Sequence, residues 1–195
     1  MAYSDFNWIT DRLAVGGFVF ESDDLPFDAV LSMETQAPVA LRDLVRSGRV
    51  DYRWLSIVDG HSWETREVIV RRFNQASELI HDWLGDGKRV LVHCHAGVSR
   101  SVTAVTWYLM RYEGYSWDDA LRIVRESRQI ALPNIRFEAV MRAAGGERID
   151  DHWIESRARE FCALMEPWGV LDAPERIRND LTLLGLLPER EAISS

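Results

Sequence analysis

The stretch Arg89-Val-Leu-Val-His-Cys-His-Ala-Gly-Val-Ser-Arg-Ser101 is the most informative part of this chain. Its first part, Arg89–Cys94, is a short apolar run of the kind that forms a strand buried on both faces. The helix-like segment Ser101–Glu113 follows after only a short loop. A buried strand that passes through such a loop into a helix is typical of sheets in which parallel strands alternate with helices.

Strand-like and helix-like segments also alternate upstream of this stretch. Phe27–Met33 and Tyr52–Val58 have the apolar character of strands, and Ala40–Ser47 is helix-like. An amphipathic helix ending at Gly85 follows, with these apolar residues at helical spacing: Ile69, Phe73, Ala76, Ile80 and Trp83. We therefore predict an α/β fold with a central, mostly parallel sheet flanked by helices.

Further helices are predicted downstream. Ser116 and Asp119 form a capping box that opens one helix, and Asn134–Ala144 forms the next. Residues 147–195 have the pattern of two more helices, the second of which begins near Pro174. We predict a domain of residues 1–146 and a helical C-terminal extension, 147–195, that packs on its core, because two short helices rarely bury enough surface alone.

Composition and charge exclude several classes of protein. The 195 residues are 47% hydrophobic and 28% charged, which is ordinary for a globular protein, and the net charge of -8 argues against nucleic acid or an anionic membrane as partner. No apolar stretch approaches the ~20 residues of a membrane span, and the first residues do not resemble a signal peptide. With only two cysteines, Cys94 and Cys162, no disulfide framework is expected. We expect a cytoplasmic protein, and its oligomeric state stays open.

The loop after the predicted strand combines a nucleophile with an anion site. Cys94 lies at the carboxyl end of that strand, where ligands bind in α/β sheets. The loop amides and the positive helix terminus favour bound anions and the thiolate form of a cysteine. Gly97 permits a sharp turn close to a ligand, and the Arg100 guanidinium can hold two oxygens of one phosphate. This combination suits phosphoryl transfer.

The motif His93-Cys94-x5-Arg100-Ser101 resembles the signature of cysteine-dependent protein tyrosine phosphatases. The fuller sequence His-Cys-His-Ala-Gly-Val-Ser-Arg-Ser is similar to their dual-specificity branch. Trp8–Gly16, Asp59 and Leu132-Pro133-Asn134 follow the order of that family as well. The resemblance covers the chain from Phe6 to Ala144, and residues 147–195 lie outside it.

The resemblance implies a role for each of these residues. Cys94 would be the nucleophile that forms a cysteinyl-phosphate, and Arg100 would bind the phosphoryl oxygens. Ser101 would form a hydrogen bond with the thiolate, and Asp59 would act first as general acid and then as general base. Two further sets of residues have implied roles. The phosphate would be cradled by His95, Ala96, Gly97, Val98, Ser99 and Arg100. The loop would be supported by His93 and Asn134.

The implied function is a dual-specificity protein phosphatase that acts on phosphotyrosine and on phosphoserine or phosphothreonine of a phosphorylated protein. No metal and no cofactor is expected, since His93 and His95 lack the further ligands of a zinc site. Three alternatives stay open: a phosphatase for phosphoinositides or other small phosphate esters, a rhodanese-like sulfurtransferase, and a phospho-ligand binding module.

Two residues compete for predicted roles. Asp51 is the nearest alternative to Asp59, but it precedes its predicted strand and so belongs to the other end of the sheet. Ser99 is as good a candidate as Ser101 for the first cap of the helix after the loop.

Overall fold

A computed structural model describes residues 4–19, 25–36, 45–59, 64–165 and 174–188 of the chain. Most of the predicted Ala40–Ser47 helix lies outside these residues. The described residues divide into two compact units, one within Met1–Glu64 and Arg71–Asn134, the other within Thr65–Val70 and Ile135–Ser195. The predicted boundary after residue 146 stays a prediction.

A mixed sheet forms the centre of the first unit. Among the described residues it has five strands: β1 (Ser4–Trp8), β2 (Leu13–Val19), β3 (Ala29–Ser32), β4 (Asp51–Trp54) and β5 (Val90–His93). Their order is β1-β2-β5-β3-β4, with β1 antiparallel to β2 and all other neighbours parallel. The predicted α/β fold with a mostly parallel sheet is confirmed.

The middle position of β5 explains its apolar sequence. All four of its residues are buried, as are those of the neighbouring β3, because each of the two strands has partners on both sides. Part of the core packs around them, with Leu91 and Val30 against Phe27. The sheet therefore delivers the residue after β5 to the middle of its carboxyl edge.

The structure corrects the end of one predicted strand and adds two strands that were not predicted. The predicted strand Tyr52–Val58 ends at Trp54, since its partner β3 ends at Ser32, and residues 55–58 leave the sheet. Sequence reasoning also missed β1 and β2, because Gly16 and Gly17 weaken the strand pattern. These glycines allow close approach instead: a Cβ on Gly16 would lie 2.6 Å from the Asp5 carbonyl oxygen.

The helices follow the predicted periodicity closely. They are α1 (Arg66–Gly85), α2 (Arg100–Glu113), α3 (Trp117–Ser127), α4 (Ile135–Ala144), α5 (Asp151–Met165) and α6 (Pro174–Leu183). The predicted cap of α3 is confirmed, since the Ser116 hydroxyl accepts a hydrogen bond from the Asp119 amide. At the end of α2, Gly114 adopts a left-handed conformation with φ +77°, which only glycine adopts readily.

The second unit has a buried ion cluster of its own. Glu138 on α4 is only 1% exposed, and its carboxylate accepts hydrogen bonds from the Nε atoms of Arg142 at 3.0 Å and Arg157 at 2.7 Å. A buried carboxylate needs such partners to offset the loss of hydration. The cluster joins α4 to α5, so residue 157 of the predicted extension contributes to the interior of this unit.

Candidate active site

The loop predicted to carry the chemistry connects β5 to α2. Cys94 directly follows β5, and α2 begins at Arg100. The Cys94 amide donates a hydrogen bond to the Gly16 carbonyl at 3.2 Å, which extends the pairing with β2 to the start of the loop. The Cys94 side chain is a free thiol that is 1% exposed. The side chain of Cys162 lies outside the described residues.

The Ser101 hydroxyl lies beside this thiol. Its Oγ is 3.2 Å from Cys94 Sγ and 3.1 Å from the Gly16 carbonyl oxygen, and both side chains are buried. A serine hydroxyl has a single proton, so it can donate to the carbonyl or to the sulfur. When the sulfur is a thiolate, donation to that charged acceptor is the stronger hydrogen bond.

Arg100 is the next residue that the structure brings into the site. Its guanidinium is nearly buried, with Nη1 3.3 Å from the Met33 carbonyl oxygen and Nε 3.6 Å from Asp59 Oδ2. Asn134 Nδ2 donates to the other carboxylate oxygen of Asp59 at 3.1 Å. Asp59, Arg100 and Asn134, which are far apart in the sequence, therefore lie together at the mouth of the loop.

The structure also locates Asp51 and Ser99, the competitors of Asp59 and Ser101. Asp51 begins β4, at the opposite end of that strand from the loop, and its carboxylate accepts hydrogen bonds from Trp83 Nε1 at 3.0 Å and Lys88 Nζ at 3.1 Å. Ser99 rather than Ser101 is the N-cap residue of α2, but its side chain makes no capping hydrogen bond with that helix. Its hydroxyl accepts a hydrogen bond from the Asn134 amide at 3.0 Å instead.

His93 lies beneath the loop in the protein interior. Burial lowers the pKa of its imidazole to about 4, although the Cys94 backbone acts in the opposite direction. Within the described part of the chain, neither ring nitrogen has a hydrogen-bond partner that meets ordinary geometric limits. His93 is therefore neutral at neutral pH, and the supporting role implied for it stays a prediction.

Sequence reasoning missed Glu34, a second carboxylate at Arg100. Glu34 is 7% exposed, and its Oε2 lies 3.6 Å from Arg100 Nη1, while Oε1 lies 3.9 Å from His95 Nδ1. It comes two residues after β3, and β3 pairs directly with β5. The order of the strands was the signal needed to find it, since the carboxyl ends of parallel neighbours share one edge of the sheet.

Sequence reasoning also missed Arg128, which follows α3 and contacts the loop from outside. It is 2% exposed, and its guanidinium donates hydrogen bonds to the carbonyl oxygens of Ala96 and Gly97. Asp5 on β1 accepts two further hydrogen bonds from it. These hydrogen bonds lower the pKa of Asp5, and they outweigh the opposite effect of its burial.

Among the described residues, no three His, Cys, Asp or Glu side chains lie close enough to hold a metal ion. None of the helices in the described ranges has both the length and the apolar character of a membrane span.

Comparison with known proteins assigns the family. Residues 19–145 match the family described as dual specificity phosphatase, catalytic domain. Dual specificity protein phosphatase 22 of Homo sapiens is 44% identical over 121 residues, which is 61% of this chain and 61% of that protein. Putative tyrosine phosphatase 123R of Invertebrate iridescent virus 6 is 40% identical over 84 residues, covering 43% of this chain and 56% of that one. The alignments thus span less than two thirds of these curated relatives.

Solved structures agree with this assignment. The crystal structure of DUSP15 is 28% identical, with a TM-score of 0.59, over 72% of this chain and 87% of that one. A mutant form of Tk-PTP is 26% identical, with a TM-score of 0.60, over 73% of this chain and 95% of that one. Since the family match runs through most of the chain and includes the whole loop from Cys94 to Arg100, the chain belongs to the dual-specificity phosphatase family.

Proposed function

We propose that this chain hydrolyses phosphate monoesters on tyrosine, serine and threonine side chains of phosphorylated proteins, through a cysteinyl-phosphate intermediate. The observation that carries the proposal is the buried Cys94 thiol, 3.2 Å from the Ser101 hydroxyl, in a loop that ends at Arg100. Asp59 Oδ2 lies 3.6 Å from Nε of the same Arg100. The loop and Arg100 thus bring a nucleophile, a cation and an acid into one part of the structure.

In the first step, the Cys94 thiolate attacks phosphorus. The sulfur–phosphorus bond forms as the bond from phosphorus to the substrate oxygen breaks. Arg100 holds two non-bridging oxygens and stabilises the charge that develops on them. The amides of residues 95–100 add donors around the same oxygens. Asp59, as the carboxylic acid, donates its proton to the departing oxygen.

In the second step, water replaces the protein sulfur. The Asp59 carboxylate accepts a proton from the attacking water, the new phosphorus–oxygen bond forms, and the sulfur–phosphorus bond breaks. Ser101 donates its hydroxyl proton in a hydrogen bond to the leaving thiolate. The Asn134 side chain donates a hydrogen bond to Asp59 Oδ1, and Asp59 Oδ2 faces Arg100 Nε at 3.6 Å. This arrangement supports one carboxyl group acting as acid and then as base.

The residues around the loop support phosphoproteins as substrates, and no cofactor has a place in the proposed reaction. Loop positions His95, Ala96, Val98 and Ser99 include no lysine or arginine. Glu34 and Asp59 also bring two carboxyl groups close to Arg100, the cation that would bind the phosphate. Highly anionic ligands such as inositol polyphosphates require additional positive charge. A singly phosphorylated side chain of a protein fits this balance better, and neither nucleic acid nor a membrane surface is expected as partner.

The direct test is hydrolysis of p-nitrophenyl phosphate against pH in the presence of a chelator. We expect turnover by the wild type, none by Cys94→Ser, and loss of the alkaline limb of the pH profile in Asp59→Asn. The general acid contributes about 10²–10⁴-fold. The matched control is Asp11→Asn, because the Asp11 side chain is 88% exposed. An inert wild type with a folded circular dichroism spectrum would contradict the proposal.

The substrate class is tested separately. Phosphotyrosine, phosphoserine and phosphothreonine peptides are compared with a soluble phosphoinositide at equal concentrations, and kcat/KM is measured for each. We expect higher values for the peptides. A strong preference for the phosphoinositide would overturn the choice of substrate while leaving the chemistry of Cys94 intact.

Two broader assignments accompany this function. A reactive Cys94 thiolate works only when reduced, which favours a reducing compartment such as the cytoplasm, and subcellular fractionation tests this. We also propose that residues 1–146 form the phosphatase domain and 147–195 a helical extension. Deletion of residues 147–195 tests that division. Because Arg157 of the extension binds the buried Glu138 carboxylate, we expect the shortened chain to have a lower free energy of unfolding, and unchanged folding and activity would exclude an extension that packs on the core.

A further inference from the structure

Arg128 donates hydrogen bonds to two backbone carbonyls of the loop that connects β5 to α2. Its Nε donates to the Gly97 carbonyl oxygen, and its Nη2 donates to the Ala96 carbonyl oxygen at 3.2 Å. On its other side, Nη1 and Nη2 donate to the two carboxylate oxygens of Asp5 at 3.0 and 2.7 Å, and Nη1 also donates to Asn7 Oδ1 at 2.8 Å. All three guanidinium nitrogens are therefore occupied.

The geometry of the peptide bond gives these contacts a consequence inside the loop. In a planar trans peptide the carbonyl oxygen and the amide hydrogen point to opposite sides. The carbonyl of Ala96 shares its peptide with the amide of Gly97, and the carbonyl of Gly97 shares its peptide with the amide of Val98. When both carbonyls are held against Arg128, both amides must point away from it, toward the inner side of the loop.

We propose that Arg128, fixed by Asp5, is a positioning residue that orients the Gly97 and Val98 amides toward the bound phosphoryl group. The inference rests on the proposed function, because it deepens the account of how that site holds phosphate. The planar guanidinium suits this task, since its rigid fork reaches two carbonyls and a carboxylate at once. A lysine ammonium has a single centre and cannot span the same set.

Burial separates this role from that of an ordinary surface ion pair. Arg128 is 2% exposed, whereas the Asp5 side chain is 50% exposed, so Asp5 neutralises a buried cation from the solvent side. The loop also has little freedom to adjust around Arg128. A Cβ at Gly97 would lie against Arg128 Nη2 and within 2.5 Å of the Gly17 amide nitrogen. The guanidinium and β2 therefore enclose this peptide from two sides.

The experiment measures binding of inorganic phosphate to the full chain carrying Cys94→Ser. Titration calorimetry gives the affinity, and the ¹⁵N–¹H shifts of Gly97 and Val98 report on their amides. Adding Arg128→Lys is expected to weaken binding by about 10- to 100-fold, the equivalent of about one hydrogen bond to a charged group. The two amide shifts should lose their response to phosphate.

Arg125→Lys is the matched control. Arg125 lies on α3, and its Nε donates to the carbonyl oxygen of Ala131 at 3.0 Å rather than to the loop. We expect phosphate affinity within about 2-fold of the parent for this variant, because the same chemical change leaves the loop carbonyls held. Urea unfolding of both variants shows whether they are folded.

A folded Arg128→Lys protein that binds phosphate like the parent, with unchanged Gly97 and Val98 shifts, would overturn the inference. If Arg128→Lys does not fold, Asp5→Asn takes its place, with a smaller loss of affinity and altered shifts of the same two amides. Unchanged affinity and shifts in Asp5→Asn would then overturn it. If the Cys94→Ser parent binds phosphate but the wild type hydrolyses nothing, only the proposed function is contradicted. If the Cys94→Ser parent binds no phosphate, the positioning role is overturned as well.

Discussion

Replacing Gly97 by alanine should destabilise the protein and weaken its binding of phosphate. Gly97 has φ +63°, in the left-handed region that residues with a Cβ rarely adopt. The new methyl group would lie 2.5 Å from the Gly17 nitrogen and 2.6 Å from the Gly16 carbonyl carbon, and it would also contact Arg128 Nη2. Two of these three neighbours are backbone atoms of a paired strand, which cannot move aside as a flexible side chain can.

Both effects have an expected size. The left-handed conformation costs a non-glycine residue about 1–2 kcal/mol. Forcing extra atoms into a packed region typically costs about 1–3 kcal/mol more. We therefore expect Gly97→Ala to lower the free energy of unfolding by about 2–5 kcal/mol. Any relief of the clash must move the Gly97 peptide, which carries amides of the proposed phosphate site.

Gly114→Ala separates the two contributions. Gly114 has a similar φ of +77°. Apart from its chain neighbours and the backbone of its own helix, no heavy atom of the described residues lies within 4 Å of an added Cβ. This variant should lose only the conformational part, about 1–2 kcal/mol. Urea unfolding at 25 °C gives both free energies, and inhibition by inorganic phosphate shows that only Gly97→Ala weakens binding.

Equal destabilisation by the two substitutions would contradict a steric cost at Gly97. If the free energies of unfolding of Gly97→Ala and Gly114→Ala agree within about 0.5 kcal/mol, the approach of β2 to the loop costs nothing. A Gly97→Ala protein with the phosphate affinity of the wild type would also refute the link between this peptide and the anion site.

The other predictions concern three further residues of the site. Ser101→Ala removes the hydroxyl 3.2 Å from the Cys94 sulfur, so breakdown of the cysteinyl-phosphate should slow by about 10- to 100-fold. Stopped-flow assays should then show a burst of p-nitrophenol, and a linear trace would argue against this role of Ser101. Glu34→Gln removes the charge 3.6 Å from Arg100, so inorganic phosphate should inhibit several-fold more strongly; weaker inhibition would mean that Glu34 chiefly orients Arg100. Burial lowers the pKa of His93 to about 4, so between pH 6.5 and 4 the unfolded chain binds a proton that the folded chain does not. The free energy of unfolding should therefore fall by about 3 kcal/mol as the pH decreases through this window, and His93→Asn, followed by urea unfolding, should lack that part of the slope.

The parts of the site that could be predicted from the sequence are those that depend on neighbouring residues. Cys94, Gly97 and Arg100 lie within seven positions, so the strand, the turn and the helix start that bring them together are local properties of one segment. The cap of α3 by Ser116 was predictable for the same reason, since it joins residues three apart. Local hydrogen bonds and apolar spacing are enough to specify such features.

Asp59 was a different case, because only the resemblance to a family pointed to it. An Asp-Gly pair after a strand is most simply a turn. Its position beside Arg100 depends on β4 ending at Trp54 and on residues 55–58 leaving the sheet, and the sequence pattern extended that strand to Val58. The pattern of apolar residues cannot show where β4 stops, because that depends on how far β3 continues beside it.

Short-range periodicity and spacing encode the α/β class and the segment in which a thiol, a turn and a guanidinium come together. The distant groups that complete the site are set by the packing of the folded chain. Glu34 reaches Arg100 because β3 pairs with β5, and Asp5 reaches Arg128, 123 residues away, because β1 lies at the edge of the sheet beside β2. Strand order follows from how buried surfaces pack together, and that balance involves the whole chain at once.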